Sequence, residues 1–121
     1  PNVKYEGIDI YPLFVKDAQL RGVNVKQIDM FDMKGHYDFV VAGGLFNVGF
    51  SHAQALKGVE HLLGITDKKF ILNGLHSTYR KSDFLMTMNP IELKDRFGGK
   101  VITDDRLPID FFLIIDKKAK P

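Results

Sequence analysis

The sequence contains no cysteine, no long apolar run and no excess of charge of one sign. Without cysteine the chain has no disulfide, no thiolate metal ligand and no cysteine nucleophile, and this composition is typical of proteins from a reducing compartment. No run approaches the roughly 18–20 apolar residues of a membrane-spanning helix. The net charge is only +2, and the lysines are scattered along the chain. The composition therefore favours a cytoplasmic protein and gives no support to binding of a membrane or of nucleic acid.

The chain also lacks room for a strand that its first pattern calls for. Residues 5–10 (YEGIDI) predict a buried parallel strand with Asp9 near its end. A carboxylate at this point is typical of the second strand of a nucleotide-binding α/β sheet. Residues 1–4 are too few for a first strand and its glycine-rich loop, and residue 1 is proline rather than methionine. We therefore expect residues upstream of Pro1, or a second chain, to complete the sheet.

The rest of the pattern predicts a layered α/β sheet that forms one domain, or most of one, over residues 1–121. The predicted order is β-α-β-β-α-β-α-β-β. After the first strand, further strands are predicted at residues 23–29, 38–42, 69–73, 100–103 and 110–116. Residues 104–109 are too few for a crossover helix, so we expect the last two strands to be antiparallel, with Pro108 in their turn. Residues 30–37 are also too few for a helix, so that connection is reduced or replaced by a loop.

Three predicted helices have clear boundaries in the sequence. The first has Pro12 in its first turn and ends at Gly22, with Phe14 and Ala18 on its inner face. A capping box of Ser51 and Gln54 opens the second, and its apolar residues fall on one face at Ala55, Val59, Leu62 and Leu63. Asn89 and Pro90 open the third helix, which Gly98 and Gly99 end.

Polar or glycine-rich positions follow three successive predicted strands: Asp9, Asp29 and the turn at residues 42–47. In open α/β sheets, ligands bind beyond the carboxyl ends of the strands. One carboxylate can accept both hydroxyls of a ribose, the other can accept from an adenine amine, and Gly43-Gly44 lets the backbone approach a small ligand closely. Each of these positions, considered alone, is also typical of a helix cap or of a turn without a binding role. Their joint placement favours a binding site.

Residues 3–11 (VKYEGIDIY), 27–32 (QIDMFD) and 37–47 (YDFVVAGGLFN) resemble the signatures that follow the first motif of class I S-adenosylmethionine-dependent methyltransferases. The terminal strand pair, ending in DFFLIID, is similar to the antiparallel end of that family's sheet. The resemblance therefore covers essentially the whole chain, from the family's second strand onward. It implies a Rossmann-like, mostly parallel sheet whose first strand, absent here, would lie between the Asp9 strand and the Val40 strand.

The resemblance also implies a cofactor site for S-adenosylmethionine. In such enzymes the residue at Asp9 holds the cofactor ribose, and the residues at Ile10 and Tyr11 lie against adenine. Asp29 would lie near the adenine amine, with a backbone contact from Met30. The methionine part of the cofactor would be lined by Ala42, Gly43, Gly44 and Phe46.

Acceptor contacts are expected from the loops after the family's fourth and fifth strands, at Asn47, Asn73, His76 and Tyr79. A nucleic-acid acceptor favours a concentrated basic face, so the balanced charge favours a small molecule. Methyl transfer depends on positioning and electrostatics more than on an obligatory base, and no catalytic residue is identified from the sequence. No His or carboxylate cluster has the spacing of a metal site.

One departure from the family is the absence of the glycine-rich first loop. Gly44 and Gly49 do not replace it, because a phosphate-binding loop needs Lys-Ser/Thr after its second glycine and Phe50-Ser51 follow here. Methyl transfer would therefore need the missing N-terminal segment. One alternative is a non-catalytic methyltransferase-like module for binding or assembly. A nicotinamide-dependent oxidoreductase also uses an acidic residue after its second strand, but the second Asp and the terminal hairpin favour the methyltransferase.

Overall fold

A computed structural model describes residues 3–78 and 85–117. The elements follow the predicted order: β1 (Gly7–Asp9), α1 (Pro12–Leu20), β2 (Val25–Gln27), β3 (Tyr37–Gly43), α2 (His52–Gly64), β4 (Thr66–Leu75), α3 (Pro90–Phe97), β5 (Lys100–Asp104) and β6 (Leu107–Asp116). Short 3-10 helices, Met30–Asp32 and Leu45–Asn47, follow β2 and β3. The chain divides into two compact units, Pro1–Gly35 and His36–Pro121. In the described part of the chain, no helix is both long and apolar enough to cross a membrane.

The first unit is a parallel pair of strands, β1 and β2, connected by α1. The register aligns Gly7 with Val25 and Asp9 with Gln27. The predicted strand at residues 5–10 is confirmed as parallel but is shorter and more exposed than predicted, since Tyr5 and Ile10 are 60% and 51% exposed. The reason is that β1 pairs only with β2 among the described residues, so its other edge has no strand beside it.

The inner face of α1 also differs from the prediction. Pro12 stands in the first turn as expected, where its missing N–H costs nothing. Phe14, however, is mostly exposed, and Val15 is the buried residue of the helix. The packing of α1 on β1 and β2 decides which face is covered, and it turns Val15 rather than Phe14 toward the interior of the unit.

The second unit is a four-stranded mixed sheet in the order β3-β4-β6-β5. The strands β3 and β4 are parallel, whereas β6 is antiparallel to both β4 and β5. The core of this unit contains sheet residues from β4 and β6 and apolar residues of α2 and α3, namely Phe70, Leu72, Phe111, Leu113, Ala55, Val59, Leu62 and Leu93. The predicted α/β sheet with an antiparallel end is therefore confirmed.

The strand β3 was expected in the centre of the sheet and lies at an edge of the four-stranded sheet instead. Among the described residues it pairs with β4 alone, and Phe39 and Val41 are 62% and 67% exposed. Its apolar run is typical of a strand buried on both faces, whereas among the described residues this strand has a neighbour on one side only.

The predicted caps of α2 and α3 are confirmed. Ser51 Oγ accepts from the backbone N–H of Gln54, and the Gln54 side chain accepts from the backbone N–H of Ser51 at 2.8 Å. Asn89 Oδ1 accepts from the N–H groups of the second and third helical residues of α3. These bonds satisfy donors that the first helical turn leaves without partners, so both helices begin at defined points.

The terminal hairpin is antiparallel as predicted, but Pro108 is not in its turn. Asp104 pairs with Leu107, which places Pro108 inside β6. The turn is tighter because Asp104 Oδ1 accepts from the backbone N–H of Arg106 and the two side chains also pair. The same side-chain hydrogen bond lowers the pKa of Asp104. Pairing with β4 begins only at Asp110, so the ladder requires no N–H from Pro108.

We expect Gly99→Ala to destabilise the protein by more than about 2 kcal/mol, because strain and overlap each cost about 1–3 kcal/mol. Gly99 has φ +97°, and a Cβ there would lie 2.6 Å from the carbonyl oxygen of Ile114. Gly64, the last residue of α2, is the matched control, because a Cβ there meets nothing within 4 Å. Gly64→Ala should be neutral or stabilise by up to about 1 kcal/mol. Urea denaturation measures both, and equal effects would contradict this account of Gly99.

Candidate functional site

The two strand-end carboxylates of the first unit have the same local geometry. Asp9 ends β1, and its Oδ1 accepts from the backbone N–H of Tyr11 at 3.0 Å. Asp29 follows β2, and its Oδ1 accepts from the backbone N–H of Phe31 at 2.9 Å. Each carboxylate thus forms a side-chain turn with the residue two positions on. Because β1 and β2 are parallel neighbours, both carboxylates lie at the same edge of this sheet.

The residues predicted to contact adenine differ in their exposure to solvent. Ile10 and Tyr11 are about half exposed, and the ring of Tyr11 contacts that of Phe14 edge to face with centroids 5.6 Å apart. Gln27 donates from its side chain to the carbonyl of Ile10, which ties this segment to β2. Met30 is buried, and the contact that the resemblance implies for its backbone stays a prediction.

The turn after β3 is attached to the core of the second unit by two buried side chains. Ala42 is buried, and Phe46 is fully buried, with its ring edge to face against Phe50 at 5.0 Å. Gly44 has φ +67° and donates its N–H to the carbonyl of Asn73 at 3.2 Å. A ligand can therefore reach the backbone of this turn, while the side chains of Ala42 and Phe46 hold the turn to the core.

Asn73 lies directly beside this turn, because its Cα pairs with that of Gly43 in the parallel ladder. Its side-chain Nδ2 donates to the carbonyl of Phe111 at 3.2 Å and to Asp110 Oδ1 at 3.4 Å. Asn73 thus bridges β4 and β6 through its side chain as well as its backbone. Asp110 was not singled out from the sequence as a partner, since the two residues are 37 positions apart.

His76 follows β4 and is half-buried. Its Nδ1 accepts from the backbone N–H of Thr78 at 3.2 Å, and its ring packs edge to face on Phe111. Nδ1 is therefore an acceptor, which leaves Nε2 as the donor of the neutral ring. Tyr79, the other residue predicted in this loop, lies outside the described residues.

The segment that leads into α3 returns to the same strand ends. The N–H of Met86 donates to the carbonyl of Asn47 at 2.8 Å, and the N–H of Met88 donates to the carbonyl of Leu75 at 2.9 Å. This segment therefore connects the turn after β3 with the end of β4. In the second unit, the structure brings together Gly43, Gly44, Asn47 and Asn73.

Sequence reasoning missed a pair between the two helix starts of the second unit. His52 Nε2 lies 2.9 Å from Glu92 Oε1, and both side chains are about half exposed. His52 is the first residue of α2, and Glu92 is the third residue of α3. The capping patterns predict where each helix begins, but a contact across 40 positions leaves no signal in local spacing.

One further surface feature does not include the residues predicted to bind the cofactor. A shallow surface depression of about 480 Å³ is lined by Asn89, Ile91, Glu92, Asp95 and Arg96, and it includes none of the predicted cofactor residues. In residues 3–78 and 85–117, no group of three or more His, Asp or Glu side chains is arranged to hold a metal ion. The strand ends remain the candidate site, because α/β sheets bind ligands there.

Several solved structures share this fold. ChlM, a magnesium protoporphyrin IX methyltransferase from Synechocystis PCC 6803 with bound SAM, matches 90% of this chain with a TM-score of 0.73 and 16% identity. TehB from Haemophilus influenzae matches 93% with a TM-score of 0.69 and 13% identity, and the DhpI–SAM–HEP complex matches 90% with a TM-score of 0.67 and 16% identity.

The chain spans only part of each matched structure: 57% of ChlM, 49% of TehB and 66% of DhpI. No protein-family model and no curated protein sequence matches it. At these identities the comparisons establish the fold alone, and they confirm the fold that the sequence resemblance implied.

We expect Asn73→Ala to lower the free energy of unfolding by about 1 kcal/mol, because the side chain links β4 to β6 through a hydrogen bond. Asn73→Asp should cost more at neutral pH, since its carboxylate would face Asp110 and the carbonyl of Phe111. Urea denaturation at neutral and mildly acidic pH measures both variants. Equal stability of the Ala and Asp variants at neutral pH would show that the contact with β6 is not as described.

Proposed function

Because the chain has the fold of class I S-adenosylmethionine-dependent methyltransferases, we propose that it binds this cofactor and takes part in methyl transfer to a small molecule in the cytoplasm. The observation that carries the proposal is the pair of like turns at Asp9 and Asp29, which present two carboxylates at one edge of the β1–β2 sheet. ChlM, whose structures contain SAM or SAH, supports the choice of cofactor.

The turn that Asp9 forms leaves its carboxylate available to bind a ribose. The N–H of Tyr11 fixes Oδ1 at 3.0 Å, and among the described residues no hydrogen bond occupies Oδ2. Each carboxylate oxygen carries two lone-pair sites, so Asp9 retains acceptors for two vicinal hydroxyls. Such hydrogen bonds to a charged acceptor are about twice as strong as neutral ones.

Asp29, Ile10 and Tyr11 fit the adenine part of the cofactor. Asp29 is exposed and has its second oxygen available for an amine, while its first oxygen caps the 3-10 helix. Ile10 and Tyr11 present exposed apolar surface beside Asp9. A planar base that covers this surface gains roughly 25 cal/mol for each Å² of apolar area removed from water.

The turn of Gly43 and Gly44 fits the methionine part. A Cβ on Gly43 would meet nothing within 4 Å, so there is open space directly at the end of β3. Gly44 adopts a left-handed conformation that favours glycine. The buried ring of Phe46 keeps the turn in place, which is the kind of rigid support that a positioned reaction needs.

When bound, S-adenosylmethionine supplies a methyl group made electrophilic by its sulfonium. The contribution of the chain is to place the acceptor in line with that methyl group. Asn47 and His76 follow β3 and β4, and Asn73 of β4 pairs with Gly43, the last residue of β3. Amide and imidazole donors suit a small polar acceptor, and a net charge of only +2 favours such an acceptor over nucleic acid.

We further propose that a parallel strand from another segment of the protein, or from a second chain, pairs with the open edge of β3. The support is the β-branched run of β3, whose Phe39 and Val41 side chains are exposed although such strands are normally covered. An unpaired apolar strand edge is also prone to aggregation, so proteins usually cover it.

A non-catalytic methyltransferase-like binding or assembly module is the second candidate. The observation that favours it is that the turns of Asp9 and Asp29 account for binding of a ligand without supplying a group that acts on it. Cofactor binding without methyl transfer by the intact protein would select this candidate.

Asp9→Asn should weaken binding of S-adenosylhomocysteine by about ten- to a hundredfold, since a hydrogen bond to a charged group contributes about 1.5–3 kcal/mol. The amide oxygen of Asn can still accept from Tyr11, so the local turn is preserved and the loss of charge is isolated. Calorimetry with the intact protein measures the affinity. Asp17→Asn, which changes a carboxylate on α1 that pairs with Arg21, is the matched control and should bind normally. Unchanged affinity in Asp9→Asn would refute the assignment.

A further inference from the structure

The pair of His52 and Glu92 lies at the carboxyl ends of the parallel strands β3 and β4, where the candidate site of the second unit is. The helices α2 and α3 follow β3 and β4, and each begins at the carboxyl end of its preceding strand. The segment before α3 is hydrogen-bonded to the turn after β3 through Met86 and Asn47 and to the end of β4 through Met88 and Leu75. The two helix starts therefore flank the loops at which acceptor contacts are expected.

The geometry of the pair orients the imidazole. Glu92 Oε1 lies 2.9 Å from Nε2 of His52, so the carboxylate accepts from Nε2–H. Nδ1 is then the basic nitrogen of the ring. No side-chain or backbone group of the described residues hydrogen-bonds to Nδ1, and the ring is half exposed. Asp95 and Arg96 line the depression beside Glu92 on α3.

Stabilisation of the fold does not account for this arrangement. Ion pairs between half-exposed side chains contribute little, about 0–1 kcal/mol. The starts of α2 and α3 are already determined by the caps at Ser51 and Asn89. A histidine that is hydrogen-bonded to a carboxylate through one ring nitrogen, and whose second ring nitrogen has no hydrogen bond among the described residues, has instead the form of a general base.

We propose that His52 is the proton acceptor in methyl transfer and that Glu92 is its positioning residue. This inference rests on the proposed function and adds the class of acceptor: a nucleophile that carries a proton, such as a hydroxyl, thiol or N–H group, and not a carboxylate that is already ionised. Glu92 also stabilises the imidazolium that forms.

The step is balanced without any further reactant. A lone pair of the acceptor atom forms a bond to the methyl carbon, and the carbon–sulfur bond breaks with its electron pair remaining on sulfur. The proton of the acceptor atom passes to Nδ1 of His52. Because the ring is half exposed, it returns this proton to solvent before the next turnover.

The test uses three acceptor probes with the intact protein and saturating S-adenosylmethionine: phenol, benzenethiol and benzoate. His52→Gln removes the base, Glu92→Gln keeps a hydrogen-bonding group but removes its charge, and His36→Gln is the control. His36 also pairs with a carboxylate, Asp67, at 3.0 Å, but it precedes β3 and therefore lies at the opposite end of the strands. Formation of S-adenosylhomocysteine reports the rate, and calorimetry reports cofactor affinity.

We expect His52→Gln to slow methylation of phenol by about 10²–10⁴-fold, the usual contribution of a general base, with a smaller loss in Glu92→Gln and none in His36→Gln. Both His52→Gln and Glu92→Gln should lower kcat for phenol and leave the affinity for S-adenosylhomocysteine unchanged, a split that a merely structural role would not produce. Equal rates in His52→Gln and the parent, methylation of benzoate alone, or methylation of no probe overturns the proposal. Loss of cofactor binding in the parent protein would instead refute the proposed function.

Discussion

The parallel pairing of β3 and β4 is the constraint on which the second unit depends. Because the strands run in the same direction, the chain has to cross back between them, and α2 makes this crossing with its buried face on the sheet. The same pairing places Gly43 beside Asn73 and lets Gly44 donate to the carbonyl of Asn73. The turn, the end of β4 and the starts of both helices are consequently at one edge.

The antiparallel strand β6 pairs with the side of β4 that does not face β3, and Asn73 of β4 contacts both neighbours. Its side chain bonds to β6, and the same residue lies beside the glycine turn of the candidate site. A substitution there is expected to affect stability and, if Asn73 contacts the acceptor as we propose, ligand binding as well. This coupling explains why stability has to be measured alongside activity before any loss of methyl transfer is assigned to lost acceptor contacts.

Local signals in the sequence were sufficient for the order of elements and the helix starts. A capping box acts over three residues, and the six residues between the last two strands exclude a crossover, so Ser51, Asn89 and the hairpin were predictable. Exposure was not predictable in the same way. Whether Phe14 or Val15 is buried, and whether β3 is covered, depends on neighbours distant in sequence or absent from the described residues.

The candidate site was also predictable from the sequence only in part. The positions of Asp9 and Asp29 after their strands follow from pattern, but only the structure shows that each carboxylate forms a turn with the second residue after it. These turns are compatible with both readings of the sequence, a cap and a ligand contact, since one oxygen serves the backbone and the other stays available. The pair of His52 and Glu92 arises from the packing of two helices and had no counterpart in the motifs.

The central claim is that the strand-end carboxylate turns of the first unit bind S-adenosylmethionine. Hydrogen exchange of the intact protein, measured by mass spectrometry with and without S-adenosylhomocysteine, tests it most directly. The account predicts slower exchange in the segments after β1 and β2, at residues 9–11 and 29–31. Unchanged exchange in both segments would contradict it.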